Sequence, residues 1–180
     1  TSWTKTLGGS DQDIGFGIAE QPNGRLAVHY HTSSYAASSG GLDMAVIILS
    51  ADGSQILSQQ RVGNSGAEGI GNLINSLDKG LIAAGNTEST HRDASISRYT
   101  ANGAIDWIKT YGSTGDDRFF HVIATNDNQY AALGFTTSYG AGNTDFFFAK
   151  LNRDGSVAFA KTYGGSGNDN GYSLYQDQAG

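Results

Sequence analysis

Residues 107–112 read Trp-Ile-Lys-Thr-Tyr-Gly, and residues 159–164 repeat the pattern as Phe-Ala-Lys-Thr-Tyr-Gly. Related strings end at two earlier glycines, so that Gly8, Gly63, Gly112 and Gly164 lie 55, 49 and 52 residues apart. Between successive glycines, three further markers keep one order: a segment ending in Thr, an acid that opens an apolar run, and an Asp-Gly or Asn-Gly pair. These markers are Thr32, Thr87 and Thr136; Asp43, Asp93 and Asp145; and Asp52-Gly53, Asn102-Gly103 and Asp154-Gly155. The chain therefore contains about three and a third copies of one unit of roughly 50 residues.

Each unit has the pattern of four short β-strands. In the third full unit, apolar and aromatic runs at 120–125, 130–136, 145–151 and 156–163 are separated by turn residues. The run at 45–49 is apolar throughout, which predicts a strand buried on both faces. Asp-Gly and Asn-Gly favour tight hairpins, because glycine adopts positive φ without steric cost. Four antiparallel strands repeated at about 50 residues are typical of a β-propeller blade.

The sequence therefore predicts an all-β propeller in a single repeat domain over residues 1–180. The predicted units are the end of a preceding blade at 1–12, blades at 13–62, 63–111 and 112–163, and the start of a further blade at 164–180. About fourteen strands result, with one before the first loop and one after Gly171. A closed propeller of four to eight blades needs at least about sixteen strands. We therefore expect the chain to be a piece of a longer protein or, alternatively, to form an oligomer.

The composition limits the partners and cofactors. The chain has 26 Gly, one Pro and no Cys, so it has neither a disulfide nor a cysteine-ligated metal. Its net charge of −6 argues against nucleic acid, because phosphate binding needs a basic surface. The longest apolar run, at 44–49, is far shorter than the roughly 18 residues of a membrane helix. We therefore expect other protein domains or chains, and glycans, as partners, with no nucleic acid and no membrane insertion.

The repeated strings resemble the bacterial seven-bladed β-propeller repeat family. The resemblance rests on residues 107–112, on Gly-Gly-Ser-Gly-Asn-Asp-Asn-Gly-Tyr-Ser at 164–173, and on Lys-Leu-Asn-Arg-Asp-Gly at 150–155. It covers essentially the whole chain, and it implies a secreted or surface-anchored prokaryotic protein that mediates adhesion or interaction. Unit 1 departs from the pattern at His29, Tyr30 and His31, and unit 2 departs at Ser58 and Arg61.

An acid recurs after each glycine marker. Asp13, Glu68, Asp117 and Asp169 share one position in the four copies, which favours a structural role in which the carboxylate accepts backbone N–H bonds. The alternative is calcium, since hard cations prefer several carboxylate and carbonyl oxygens. The calcium ligands would then be Asp11, Asp13, Asp116, Asp117, Asn168 and Asp169. No other cofactor is expected.

Unit 1 carries a candidate special site. His29 and His31 lie two residues apart on a predicted strand and share one face, with Tyr30 between them. Two imidazoles on one face can begin a zinc or copper site, although a third ligand must then come from elsewhere. The alternative is that they are ordinary core or surface histidines.

The loops between the second and third strands of each unit vary most, and loops commonly carry function. Their candidate ligand-binding residues are Tyr35, His91, Tyr139 and Asn143. Tyrosine among Ser, Gly and Asn suits adaptable recognition, including stacking against a sugar. The alternative is a plain hydrophilic connector.

The function that the sequence favours is a non-catalytic scaffold for adhesion or protein–protein interaction, outside the cell or on its surface. Three alternatives stay open: a carbohydrate-binding propeller, a structural subunit of an extracellular filament, and a glycan-acting enzyme. The sequence has no Gly-x-Ser-x-Gly elbow, phosphate loop or His-Glu-x-x-His motif. We therefore expect no enzyme activity.

Overall fold

A computed structural model describes residues 4–34, 41–63, 66–88 and 90–178. Within these ranges the regular structure consists of twelve β-strands, and no helix there could cross a membrane. The strands are β1 (Asp13–Glu20), β2 (Leu26–Thr32), β3 (Asp43–Leu49), β4 (Ile56–Val62), β5 (Gly69–Asn75), β6 (Leu81–Glu88), β7 (Arg92–Tyr99), β8 (Ile105–Tyr111), β9 (Asp117–Ala124), β10 (Tyr130–Thr136), β11 (Asp145–Leu151) and β12 (Val157–Tyr163).

The twelve strands form three four-stranded antiparallel sheets. Each sheet joins its strands in chain order, β1 to β4, β5 to β8 and β9 to β12. The sequence markers fall at equivalent places in the register, since Thr32 pairs with Asp43 and Thr136 pairs with Asp145. The predicted all-β fold with four-stranded antiparallel blades is confirmed.

The Asp-Gly and Asn-Gly pairs form the hairpins between the third and fourth strands of the blades. Gly53, Gly103 and Gly155 have φ angles of 68°, 82° and 80°, a left-handed conformation that glycine adopts without a Cβ clash. The N–H of each glycine donates to the carbonyl three residues earlier, at 2.8–2.9 Å. These turns set the register of the outer strand of every blade.

The core of the protein lies between the blades. Val46 and Ile48 of the first blade pack with Leu73 of the second, and Ile96 of the second packs with Val122 of the third. Strand β3 is buried along its whole length, as predicted for residues 45–49. The first strands β1, β5 and β9 lie side by side, so they form the inner edge of the stack.

Two of the fourteen predicted strands are not formed within the described residues. Residues 4–12 and 164–178 form no strand, because neither segment makes a continuous backbone ladder with the other described residues. The second segment nevertheless lies where a fourth inner strand would lie. The Asp169 N–H donates to the Thr144 carbonyl at 2.7 Å, and the Tyr172 ring stacks on Phe120 with centroids 5.2 Å apart.

Candidate functional site

The repeated acids hold the loops that join one blade to the next. In three copies, the carboxylate accepts a hydrogen bond from the backbone N–H that directly follows the marker glycine. These bonds join Gly9 to Asp13 (2.8 Å), Ser113 to Asp117 (3.2 Å) and Gly165 to Asp169 (3.0 Å). A serine hydroxyl adds a second bond in two copies, from Ser34 to Asp13 (2.6 Å) and from Ser138 to Asp117 (2.5 Å). In these copies the carboxylates act as caps for the connecting loops.

A second acid from the preceding blade faces the cap. Gly112 lies between Asp93 and Asp117, and a Cβ on this glycine would collide with both carboxylates. Burial raises the pKa of Asp93 and the negative charge of Asp117 raises it further, while His91 lowers it. The same juxtaposition of two carboxylates recurs around Gly164. The marker glycine is therefore the residue that lets two acids approach at a blade junction.

The predicted calcium ligands do not converge on one point. Asp116 is already paired with two cations, Arg92 at 3.0 Å and Arg118 at 3.3 Å. Asp11 and Asn168 are exposed on the loop surface. In the four described ranges, no three His, Asp or Glu side chains come together in a way that could hold a metal. Calcium binding stays the untested alternative to the structural role of these acids.

The three residues of the unit 1 special site lie on two faces of β2, with His29 and His31 on one face and Tyr30 on the other. His29 is fully buried against the second blade, with its Nδ1 3.3 Å from the Gly71 carbonyl oxygen, and burial lowers its pKa to about 4. His31 shares this face and meets the Phe16 ring edge-on, with centroids 5.4 Å apart. Tyr30 packs on the opposite face, where its hydroxyl accepts a hydrogen bond from Gln59 at 2.6 Å.

Among the predicted loop residues, Tyr139 has a defined place. Its hydroxyl donates to the Gly112 carbonyl at 2.9 Å, and its half-exposed ring lies 6.2 Å from that of Phe147. It lines a cleft of about 490 Å³ between the second and third blades, with Tyr111 and Lys161 among the other lining residues.

The remaining loop residues are less distinctive. His91 and Asn143 are exposed on the surface, and the Asn143 backbone N–H donates to the Gly167 carbonyl at 3.4 Å. Tyr35 lies outside the described residues. The structure therefore joins only Tyr139, of these four, to a described cleft.

A second cleft, of about 420 Å³, opens where the inner strands meet, and we call it the central cleft. Gly69 and Gly71 of β5 line it between the aromatic rings of Phe16 from β1 and Phe120 from β9, with Tyr172 beside Phe120. All three inner strands have a β-bulge or irregular pairing at this level. A bulge re-aims the side chain it carries, and such bulges are common next to binding sites.

Three polar side chains lie at or beside the central cleft. Asn86 lines it and is only 2% exposed, yet its Nδ2 has no hydrogen-bond partner within the part of the chain that the structure describes. Arg118 directs Nε and Nη2 to Asp116, at 3.3 and 3.4 Å. His31 stands next to Phe16, and its buried Nε2 likewise lacks a partner there.

Sequence reasoning missed the central cleft, although two signals mark it. The residue directly before the Thr that marks each second strand is His31 in the first blade, Asn86 in the second and Phe135 in the third, so this position does not follow the repeat. In addition, Gly71 stands where the neighbouring inner strands carry Phe16 and Phe120. A search for positions that break the repeat in every unit would have found it.

These features define the chain as a β-propeller protein. A family model described as "Domain of unknown function (DUF5122) beta-propeller" matches residues 125–157, which supports a β-propeller-type family. The specific seven-bladed repeat family stays a prediction. No curated protein matches the sequence.

Solved structures show the same fold at low sequence identity. One is a protein of unknown function from Bacteroides caccae, with 9% identity and a TM-score of 0.54 over 89% of this chain and 50% of that chain. Another is a mutant levansucrase from B. megaterium, with 10% identity and a TM-score of 0.52 over 81% of this chain and 54% of that chain. The chain thus spans about half the length of these structures, and the likeness concerns the fold alone.

Proposed function

We propose that this chain is a non-catalytic β-propeller scaffold for adhesion or protein–protein interaction, acting outside the cell or on a prokaryotic cell surface. One observation carries the proposal: the outward face of the first blade is an open copy of the buried blade interfaces. Ile18 of β1 is 66% exposed, whereas its counterparts Leu73 of β5 and Val122 of β9 are 4% and 0% exposed.

The comparison between these three residues is direct, because the repeat places them at one position of the inner strand. Leu73 is covered by Val46 and Ile48 of the preceding blade. Ile18 occupies the same position in the first blade. Within the described chain, the outward face of this blade is covered only in part, where Leu7 packs against a cluster that includes Tyr30. Burying an apolar side chain of this size stabilises an association by about 1.5–3 kcal/mol. The face is therefore suited to binding a protein surface of blade-like shape.

The opposite end of the stack also presents exposed rings. Phe159 is 47% exposed and Tyr175 is 86% exposed, beside a cleft of about 620 Å³ that both residues line. Contiguous exposed apolar surface commonly marks sites of protein interaction. Like the outward face of the first blade, this surface is suited to packing against another protein surface.

Adhesion of coated beads tests the proposal. Beads carrying the purified chain are scored for clustering and for attachment to bacterial cells, beside beads carrying Ile18→Lys. The matched control is Ile56→Lys, because Ile56 is also about half exposed (48%) but lies on the outer strand β4. We expect Ile18→Lys to abolish clustering or attachment and Ile56→Lys to preserve it. Wild-type beads that behave like uncoated beads, or equal effects of the two variants, would contradict the proposal.

A further inference from the structure

We propose that the central cleft is a binding site for a neutral sugar ring. The cleft is distinct from the open blade face, because Phe16 lies at the bulge of β1 whereas Ile18 follows the bulge. Its volume of about 420 Å³ falls within the roughly 300–1,000 Å³ of small-molecule sites. Its lining combines aromatic rings with a few convergent polar groups, the composition expected of such a site.

The aromatic walls provide the surface against which a sugar ring would stack. Phe16 is 52% exposed, and Tyr172 is 69% exposed while its ring stacks on Phe120 at an interplanar angle of 18°. Gly69 and Gly71 keep the space between these walls open, since β5 has no side chain at either position. A Cβ on Gly71 would collide with the backbone of Phe120, so the close approach of β5 and β9 itself requires glycine.

The polar groups supply donors that the protein itself leaves unused. Asn86 Nδ2 is a buried donor without a described partner, an arrangement that is rare in folded proteins and is relieved when a ligand oxygen accepts the bond. Arg118 forms its two described side-chain hydrogen bonds through Nε and Nη2, both to Asp116, so Nη1 is available for a hydroxyl oxygen. His31 Nε2 adds a group that can donate or accept, according to its tautomer.

Charge favours a neutral ligand over an anion. Asp116 pairs with both Arg118 and Arg92, and Glu88 pairs with Arg92, so this cluster has no net charge. The cleft therefore offers hydrogen-bond donors without an uncompensated cation. The net charge of −6 on the whole chain also repels anions. Hydroxyl groups accept and donate hydrogen bonds without bringing charge, and the apolar faces of a sugar match the aromatic walls.

The site occurs once among the described blades. Only the second blade combines Gly69 and Gly71 on its inner strand with an amide, Asn86, on its second strand. The first and third blades carry His31 and Phe135 at the position of Asn86. The other amide in the cleft, that of Asn72, already uses both its nitrogen and its oxygen in bonds to the Val122 backbone, at 2.9 and 2.7 Å. This pair of bonds ties β5 to β9 at the cleft.

The experiment screens the full chain on an array of neutral hexoses, pentoses and their disaccharides, with uronic acids included. Isothermal titration with the strongest binder then compares wild type with Phe16→Ala and Asn86→Ala. The control variant is Phe159→Ala, which removes a ring of similar exposure elsewhere. Tyr139→Ala tests the rival cleft between the second and third blades. Circular dichroism and thermal melting establish that each variant is folded.

We expect a neutral sugar to bind, and each central-cleft variant to weaken its binding about fivefold or more, through loss of stacking or of a hydrogen bond. Phe159→Ala should bind like wild type, and Tyr139→Ala should do so because its cleft is not the sugar site. The inference is overturned if the array shows no neutral binder, if uronic acids bind more tightly, or if Tyr139→Ala or Phe159→Ala weakens binding as much as Phe16→Ala. Phe16→Ala keeps the test decisive should Asn86→Ala fail to fold.

Discussion

We predict that the buried His29 makes the protein lose stability in mild acid, and that substituting it reduces this sensitivity. The side chain is completely buried between the first and second blades, and burial lowers its pKa from 6.5 to about 4. The appropriate variant is His29→Leu, because Leu133 occupies the equivalent position of the third blade. The substitution thus replaces a titratable group with one that the same repeat tolerates.

The size of the effect follows from proton linkage. As pH falls below 6.5 the unfolded chain binds a proton at His29, whereas the folded chain stays neutral there until about pH 4. The contribution of neutral His29 is therefore complete above pH 6.5 and is lost between pH 6.5 and about 4. At 1.36 kcal/mol per pKa unit, the loss is about 2 kcal/mol at pH 5 and about 3 kcal/mol below pH 4.

Urea unfolding followed by tryptophan fluorescence measures this directly. The free energy of unfolding is determined at about pH 8 and at about pH 5 for wild type, for His29→Leu and for the control His91→Leu, since His91 is exposed. We expect His29→Leu to lose about 2 kcal/mol less than wild type between these two values. The control should follow wild type. An unchanged pH dependence in His29→Leu would refute the reasoning, because the buried imidazole would then not be the group that titrates.

Three further predictions concern the blade junctions. Tyr111→Phe removes a 2.7 Å hydrogen bond from the Tyr111 hydroxyl to the Gly155 carbonyl, which joins two blades. We expect urea unfolding to show that the free energy of unfolding falls by about 1 kcal/mol. An unchanged free energy of unfolding would mean that this bond contributes nothing to stability. Asp93→Asn should raise the melting temperature at neutral pH, because burial and the charge of Asp117 raise the pKa of Asp93 and its ionised form therefore costs stability. This advantage of the variant over wild type should vanish in acid, where Asp93 is protonated. A lower melting temperature of the variant at neutral pH would contradict this explanation. Removing calcium with a chelator should leave the melting temperature unchanged, because no three metal-ligating side chains converge in the described residues and one oxygen each of Asp13, Asp117 and Asp169 already accepts a backbone N–H bond. A fall that added calcium reverses would assign a calcium site instead.

The blades could be predicted from sequence because their determinants are local and repeated. Gly53 in an Asp-Gly pair forms its turn through contacts within a few residues. The apolar run of β3 is buried on both faces because one face packs on the second blade and the other packs with Tyr30 and Leu7. The spacing of the markers then reports the length of one blade. The absence of strands from residues 4–12 and 164–178 was not predictable in this way. Whether a segment forms a strand depends on a neighbouring strand that completes its backbone hydrogen bonds, and local sequence does not report that neighbour.

The candidate sites were predictable only in part. Tyr139 was selected from the composition of its loop, and the structure places it on a cleft. Asn86 and Arg118 were not selected, because each is unremarkable in its own strand. Nothing local indicates that they line one cleft, since Asn86 of β6 and Arg118 of β9 are brought together by the packing of the second blade against β9.

The repeat of one unit along the chain was enough to determine the strands, the turns and the stacking of like blades, since identical units bury their faces by packing on one another. The tertiary structure alone decided which departures from the repeat meet. Phe16, Gly71 and Arg118 come from three different blades, and they share a cleft because bulged inner strands converge at one edge of the stack. It also decided that Ile18 is open while Leu73 is buried, because burial depends on which blade covers a position and not on the residue that occupies it.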